Sequence, residues 1–205
     1  LEMGRTARLS SSEASRMSGK SGMDHTALDY WHGMLPNEDT AKLLKNSGQF
    51  LLRALERNGT NNVILSVRWG KDIVNTVISK CSKGGYQCQG TFFISVKDIV
   101  RKRPLEINGV KVTLEMPVRR KRWELRHKMI KLEKELGSGS YGIVYRGTLT
   151  YPAMKPFVVA IKELSEMSVE ASNALWKEAR VMQMYDHPNI VKMYGVANDY
   201  MVSDC

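Results

Sequence analysis

The sequence is poor in cysteine and has no long hydrophobic run. Its three cysteines, Cys81, Cys88 and Cys205, form no C-x-x-C pair and have no histidine at zinc-ligand spacing. Because the count is odd and no secretion signal opens the chain, we expect free thiols in a reducing cytosol and no metal site. The longest apolar run, residues 157–161, is much too short to cross a bilayer, so we expect no transmembrane segment.

Acidic residues are also too few to balance the basic ones. The chain has 31 Lys and Arg against 21 Asp and Glu, a formal net charge of +10, with basic clusters at residues 101–103 and 119–122. Nucleic-acid binding would need such a patch on one face with aromatic residues or a recognition helix, and we expect no nucleic-acid partner. The alternatives are attraction to a phosphopeptide or to an acidic membrane surface, and a solvated linker with no partner.

Large apolar residues are scarce in the first part of the chain. Residues 1–27 are mostly small, polar or basic, so this segment cannot bury enough surface to offset its ordering entropy, and we expect it to be disordered. The remaining length and its motifs predict two domains, at residues 28–118 and 130–205, joined by a basic linker at 119–129.

The first domain is predicted to be α+β. A helix should begin at Pro36 and end before Gly48, and a second helix should follow the capping box Ser95–Asp98 and end at Pro104. Strands are expected at residues 50–53, 63–69 and 73–79. This pattern predicts a central antiparallel sheet flanked by two helices.

Arg53 is the unusual residue of that sheet, because it ends an apolar strand where an unpaired guanidinium would be costly. Its planar set of donors suits a phosphate dianion. The alternative is a structural ion pair with a nearby carboxylate such as Glu56.

The second domain opens on a glycine loop. Gly137, Gly139 and Gly142 have the spacing G-x-G-x-x-G, which also occurs in dinucleotide-binding folds. A dinucleotide loop leads into a helix and places an acidic residue, here Glu163, near the ribose. Residues 143–149 are instead rich in β-branched and aromatic side chains. The sequence therefore predicts strand–loop–strand, the protein-kinase arrangement in which backbone amides close over ATP phosphates.

A lysine and a glutamate support this interpretation. Lys162 ends the strand that contains the Val-Ala-Ile-Lys motif, and residues 168–185 are predicted to form a helix with Leu175, Ala179 and Met182 on one apolar face. Glu178 lies on that face, where a carboxylate needs a cation, so we predict an ion pair with Lys162. The alternative is that Glu178 reaches solvent at the edge of the face.

Two kinase motifs are absent from the sequence as given. It contains neither H-R-D-x-x-x-x-N nor D-F-G, which supply the base and the metal ligands. The chain starts without Met and stops at Cys205, so we expect a fragment that has no kinase activity by itself. We also expect apolar surface to be exposed around Val159, Ile161 and Met182, and the incomplete lobe to be poorly stable.

Two stretches resemble a known family. Residues 31–36 and 50–53 are similar to the opening W-Y-H-G and F-L-V-R stretches of Src-homology-2 (SH2) domains. With the kinase motifs downstream and residues 123–127 similar to an interdomain linker, the chain resembles the Fes/Fer family of non-receptor tyrosine kinases. The resemblance implies a cytoplasmic protein with a phosphotyrosine-binding domain, a partial kinase amino-terminal lobe, and ATP and Mg²⁺ as cofactors.

The resemblance also implies site residues. Those expected to bind ATP are Gly137, Gly139, Gly142, Val144, Ala160 and Lys162. Glu178 would position the lysine. Those expected to bind phosphotyrosine are Arg53, Arg57 and Asn75.

Three positions depart from the family pattern. Asn37 stands where the family usually has Arg, Leu55 replaces a small hydroxyl residue, and Asn75 replaces a His. These residues offer fewer charged donors to a phosphate than the family pattern does, and we expect the same fold. An adaptor-like binding module with a vestigial, inactive lobe remains the alternative function.

Overall fold

The computed structural model describes residues 4–8, 25–57, 60–82, 84–139, 142–164 and 169–199. The chain divides into two compact units. The described part of one, here the Arg53 unit, is residues 25–120. The described part of the other, here the glycine-loop unit, is residues 4–8 and 121–199.

The strands and helices follow one another along the chain as β1 (Gly4–Arg8), β2 (Trp31–Met34), α1 (Asn37–Leu43), β3 (Gln49–Arg57), β4 (Thr60–Trp69), β5 (Asp72–Lys80), β6 (Tyr86–Cys88), β7 (Thr91–Phe93), α2 (Val96–Arg101), β8 (Leu105–Ile107), β9 (Val110–Val112), β10 (Met116–Pro117), β11 (Glu124–Leu125), β12 (Ile130–Gly139), β13 (Gly142–Leu149), β14 (Phe157–Glu163), α3 (Val169–Gln183) and β15 (Met193–Ala197). This is the predicted mixed α+β class. None of the described helices is long and apolar enough to cross a membrane.

The Arg53 unit is built on a sheet in the order β10-β3-β4-β5-β6-β7, with β2 added beside β3. The pairs β3–β4 and β4–β5 are antiparallel, as predicted for these strands. Side chains alternate between the two faces of a strand, so Phe50 and Leu52 lie on one face of β3 while Leu51 and Arg53 lie on the other. Both faces are covered, since all four of these side chains are buried.

The helices of the Arg53 unit begin where the sequence predicts. Helix α1 starts directly after Pro36 and ends at Leu43, five residues before Gly48. Helix α2 has the predicted capping box, in which the Ser95 hydroxyl accepts the Asp98 backbone N–H and the Asp98 carboxylate accepts the Ser95 backbone N–H. These reciprocal bonds satisfy two donors that the first turn of a helix leaves open.

The glycine-loop unit is built on a second sheet, in the order β11-β15-β1-β14-β13-β12. Strands β12, β13 and β14 are antiparallel neighbours. A hydrophobic cluster packs on this sheet, and its buried members are Leu125, Ile130, Leu149, Val159, Ile161 and Ala197.

That cluster corrects one expectation from the sequence. Val159 and Ile161 are not exposed but wholly buried, because alternation along β14 places them on the covered face of the sheet. Met182 is half-buried. Among the described residues of this unit, the exposed large apolar side chains are two on the sheet side of the chain, Leu136 and Met154, and five near the end of α3 and after it, Val181, Met184, Tyr185, Ile190 and Val191.

Strand β1 corrects a second expectation. Residues 4–8, predicted to be disordered, lie parallel to β14 on one side and to β15 on the other. Backbone hydrogen bonds along the two edges of a strand require no apolar side chains. A segment that is too polar to form a core can therefore still join a sheet as a strand. Residues 1–3 and 9–24 of the predicted disordered segment lie outside the described residues.

The predicted linker is partly integrated into the glycine-loop unit. Strand β11 pairs with β15, and the ring of Trp123 contacts that of Trp176 on α3, edge to face, with centroids 5.4 Å apart. His127 is buried, and its Nδ1 lies 2.5 Å from Oδ1 of Asp199. These contacts hold the segment from Lys121 onward against the second sheet.

Candidate functional sites

The first site is a pocket around Arg53. The side chain is only 1% exposed. Its Nε donates to the Ser66 hydroxyl at 3.0 Å and its Nη1 to the backbone carbonyl of Leu35 at 2.9 Å. Its Nη2 donates to Oδ1 of Asn37 at 2.6 Å and, more weakly, to Oδ1 of Asn75 at 3.4 Å. The guanidinium is thus held in one orientation by four oxygens.

Sheet register explains why these groups converge. Arg53 lies opposite Ile64, and Ser66 lies opposite both Leu51 and Asn75, so Arg53, Ser66 and Asn75 project from the same face. The Ser66 hydroxyl donates to Oδ1 of Asn75 at 2.7 Å. The extended residue Pro36 leads from β2 into α1, and Asn37, the first residue of α1, reaches Arg53 on the same face.

The charge of Arg53 has no counter-ion among the described residues. All four of its partners are neutral acceptors. Burial lowers the pKa of Arg53 to about 10, which still leaves the guanidinium charged at neutral pH. A buried cation held only by neutral oxygens is a site that favours an anion.

Three further residues of β3 follow Arg53 and were candidates for this pocket from the sequence. Leu55, half-buried, carries no donor for a phosphate. The side chains of Glu56 and Arg57 lie outside the part of the chain that the structure describes.

The second site is the hairpin of β12 and β13. Gly139 pairs with Gly142, and residues 140–141 between them lie outside the described residues. Gly142 has φ +131°, and a Cβ there would lie 2.1 Å from the carbonyl oxygen of Glu163. Only glycine fits that position. At Gly137 and Gly139 a Cβ would meet nothing within 4 Å, so the backbone is open on that side.

The predicted Lys162–Glu178 ion pair is present. Nζ of Lys162 lies 2.7 Å from Oε2 of Glu178, and the two side chains are 21% and 36% exposed. Leu175 and Ala179 on α3 are buried as predicted. They fix the helix, so Glu178 projects towards the end of β14.

Lys162 shares a face of the sheet with two other predicted residues. It lies opposite Val144, and Ala160 is two residues away along β14. This face is the one opposite Val159 and Ile161. The structure therefore brings Val144, Ala160 and Lys162 together beside the glycine hairpin.

Magnesium bound with a nucleotide is usually held by one or two carboxylates and the phosphates. Within the described ranges, no group of three His, Cys, Asp or Glu residues could hold a metal ion. The observed elements beside this hairpin are thus an open glycine backbone and one lysine held by a glutamate.

Three residues of the basic cluster at 119–122 contact other residues of their own unit. Arg119 pairs with Asp29 at 2.8 Å, and Arg120 donates to the backbone carbonyl of Trp31 at 2.8 Å. The guanidinium of Arg122 lies 5.0 Å from the centre of the Tyr151 ring. These contacts favour the predicted linker over a free cationic surface.

Comparison with known proteins matches these two units to two families. The SH2 domain model matches residues 30–102, and the model of protein tyrosine and serine/threonine kinases matches residues 130–203. Tyrosine-protein kinase Fer of Mus musculus is 32% identical over 175 residues, which is 82% of this chain and 20% of that protein.

The chain belongs to the Fes/Fer type of SH2–kinase proteins. The transforming protein Fps of avian sarcoma virus is 29% identical over 82% of this chain and 31% of that protein. Spermatocyte protein spe-8 of Caenorhabditis briggsae is 30% identical over 82% and 34% respectively. The Fes/Fer-type chain thus spans between a fifth and a third of the length of these relatives.

Sequence reasoning missed two partners of Arg53 in this Fes/Fer-type chain. Ser66 is buried beside the guanidinium, and its signal was a small hydroxyl residue inside an alternating apolar strand. The Leu35 carbonyl is a backbone group and leaves no trace in the sequence. Asn37 was noticed only as a departure from the family, yet it makes the shortest bond to Arg53.

Proposed function

We propose that the Arg53 unit binds phosphotyrosine peptides and that Arg53 is the main phosphate ligand. The observation that carries this proposal is the wholly buried guanidinium with only neutral oxygens as described partners. Its orientation is fixed before a ligand arrives, so little side-chain entropy is lost on binding. Asn75 at the rim and Arg57 at the end of β3 are the proposed secondary ligands.

The chemistry of the ligand follows from that charge. A phosphotyrosine carries close to two negative charges at neutral pH and three acceptor oxygens. Bonds from a guanidinium to such an anion are about twice as strong as bonds between neutral groups. The phosphate would supply the counter-charge, and the flanking residues of the peptide would contact the surface around it.

For the glycine-loop unit we propose ATP binding. Gly137, Gly139 and Gly142 would place backbone amides over the phosphates, with Val144 and Ala160 beneath the nucleotide. Lys162 would contact the phosphates and Glu178 would hold it in place, which the 2.7 Å ion pair supports. Mg²⁺ bound with the nucleotide would neutralise phosphate charge, through ligands outside the described residues.

In the whole protein we propose phosphoryl transfer from ATP to protein tyrosine in the cytoplasm. The sequence as given has no H-R-D or D-F-G motif, so we expect this chain alone to transfer no phosphate. The alternative function is an adaptor-like module that binds phosphotyrosine and whose second unit performs no chemistry.

Titration of a phosphotyrosine peptide against Arg53→Lys and Arg57→Ala tests the first proposal. Lysine cannot reproduce the planar donor set, so Arg53→Lys should weaken binding by roughly 30-fold or more. Arg57→Ala should cost little. Equal binding by the wild type and Arg53→Lys would show that Arg53 is not a phosphate ligand.

A fluorescent ATP analogue and a tyrosine-peptide kinase assay test the second. We expect the chain to bind the analogue, Lys162→Met to weaken that binding, and neither protein to incorporate phosphate. Phosphate incorporation by the purified wild type would refute the expectation of inactivity. If Lys162→Met binds the ATP analogue as tightly as the wild type, Lys162 is not part of the nucleotide site.

A further inference from the structure

The pocket around Arg53 is closed in the free protein. At 1% exposure, the guanidinium offers no surface on which a phosphate oxygen could lie. Of its four partners, Ser66 and Leu35 are buried, whereas Asn37 and Asn75 reach solvent. A ligand that approaches from solvent therefore meets the two carboxamides first.

Asn37 is the stronger of the two contacts. Its Oδ1 accepts from Nη2 at 2.6 Å, against 3.4 Å for Asn75, whose Oδ1 also accepts from the Ser66 hydroxyl. A carboxamide is neutral and carries both an acceptor and a donor. Asn37 can therefore satisfy Arg53 without neutralising it, and its side chain is free of any other bond that the structure describes.

We propose that Asn37 is an exchangeable cap on Arg53 that sets the affinity of the pocket. This inference rests on phosphotyrosine binding by the Arg53 unit. In the free pocket Asn37 accepts from Nη2, and the phosphate must displace it to reach the same donor. Only an acceptor stronger than an amide oxygen gains by this exchange, so the cap selects a phosphate dianion over weaker acceptors.

Two substitutions of Asn37 distinguish a cap that competes with phosphate from a residue that itself binds phosphate. Asn37→Asp has the same shape but places a carboxylate where Oδ1 lies, so it pairs with Arg53 and repels phosphate. We expect phosphotyrosine-peptide affinity to fall by at least ~30-fold. Asn37→Ala removes the competing bond, and affinity should rise by ~3–10-fold, the equivalent of one net hydrogen bond.

The probe is a labelled peptide pool with a central phosphotyrosine and randomised flanks, with the unphosphorylated pool beside it. Asn46→Asp is the matched control, since it makes the same charge change at an exposed position after α1 in the same unit. It should bind like the wild type. If Asn37→Ala binds more weakly than the wild type, Asn37 is a direct ligand and the cap is refuted. Unchanged binding by Asn37→Asp refutes it as well.

A melting experiment without ligand tests the same contact. A carboxylate 2.6 Å from a buried cation should raise the melting temperature of Asn37→Asp above that of Asn46→Asp by about 4–8 °C. A melting temperature equal to that of Asn46→Asp would contradict the contact. If instead the wild type fails to distinguish the two peptide pools while Asn37→Asp is stabilised, phosphotyrosine binding fails and the Asn37–Arg53 contact stands.

Discussion

Replacement of Gly142 by alanine should unfold the glycine hairpin, whereas the same change at Gly139 should not. At Gly142, φ is +131° and a Cβ would lie 2.1 Å from the carbonyl oxygen of Glu163. The oxygen would have to withdraw by roughly 1 Å to reach an allowed contact. At Gly139 a Cβ meets nothing within 4 Å.

The size of the effect follows from two contributions. An L-residue held at such a φ costs about 1–3 kcal/mol. Withdrawal of the Glu163 carbonyl disturbs the first pairing of β13 with β14, which adds about 1 kcal/mol. A loss of about 3 kcal/mol in a unit of this size corresponds to roughly 12–24 °C in melting temperature.

Hydrogen exchange read by mass spectrometry is the assay, because it reports each unit separately. Gly142→Ala should speed exchange across residues 142–164, and Gly139→Ala should leave it close to the wild type. Peptides that cover β3 in the Arg53 unit serve as the internal reference. Equal protection in Gly142→Ala and Gly139→Ala would refute the argument from the Glu163 carbonyl.

Three further predictions concern other contacts. Glu178→Gln should weaken binding of an ATP analogue by several-fold more than the surface control Glu170→Gln, yet cost less than about 1 kcal/mol of stability because the ion pair is partly exposed; equal nucleotide affinity in the two variants would show that Glu178 does not position Lys162. Thr6→Pro removes a ladder N–H from β1 and should raise amide exchange in both β14 and β15, and unchanged exchange would show that β1 does not stabilise the sheet. Burial raises the pKa of the Cys88 thiol, so less of it is thiolate at neutral pH, and Cys88 should be alkylated roughly tenfold more slowly than the half-buried Cys81. Equal alkylation rates of the two cysteines, measured by mass spectrometry, would contradict this.

The elements with strong local signals were predictable from the sequence. The alternation of apolar residues located the central strands, and the spacing of Ser95 and Asp98 located the start of α2. The pairing of Lys162 with Glu178 was also predictable, because a carboxylate on an apolar helix face requires a partner and the adjacent strand offers one cation.

Contacts between remote segments were not predictable in the same way. Strand β1 pairs with β14 and β15 through backbone groups, which every residue possesses, so its polar sequence gave no indication of a strand. The burial of Val159 and Ile161 depends on which face of the sheet is covered. The contact between Asn37 and Arg53 joins residues on different elements, and it depends on how the chain passes from β2 into α1.

The affinity of the wild-type chain for a phosphotyrosine peptide, compared with the same peptide unphosphorylated, tests the central claim most directly. Isothermal titration at neutral pH and moderate salt gives both constants. If the buried Arg53 guanidinium is a phosphate ligand, the phosphorylated peptide should bind at least ~30-fold more tightly, the value of a charge-assisted contact to a buried group. Equal affinity for the two peptides would contradict the claim.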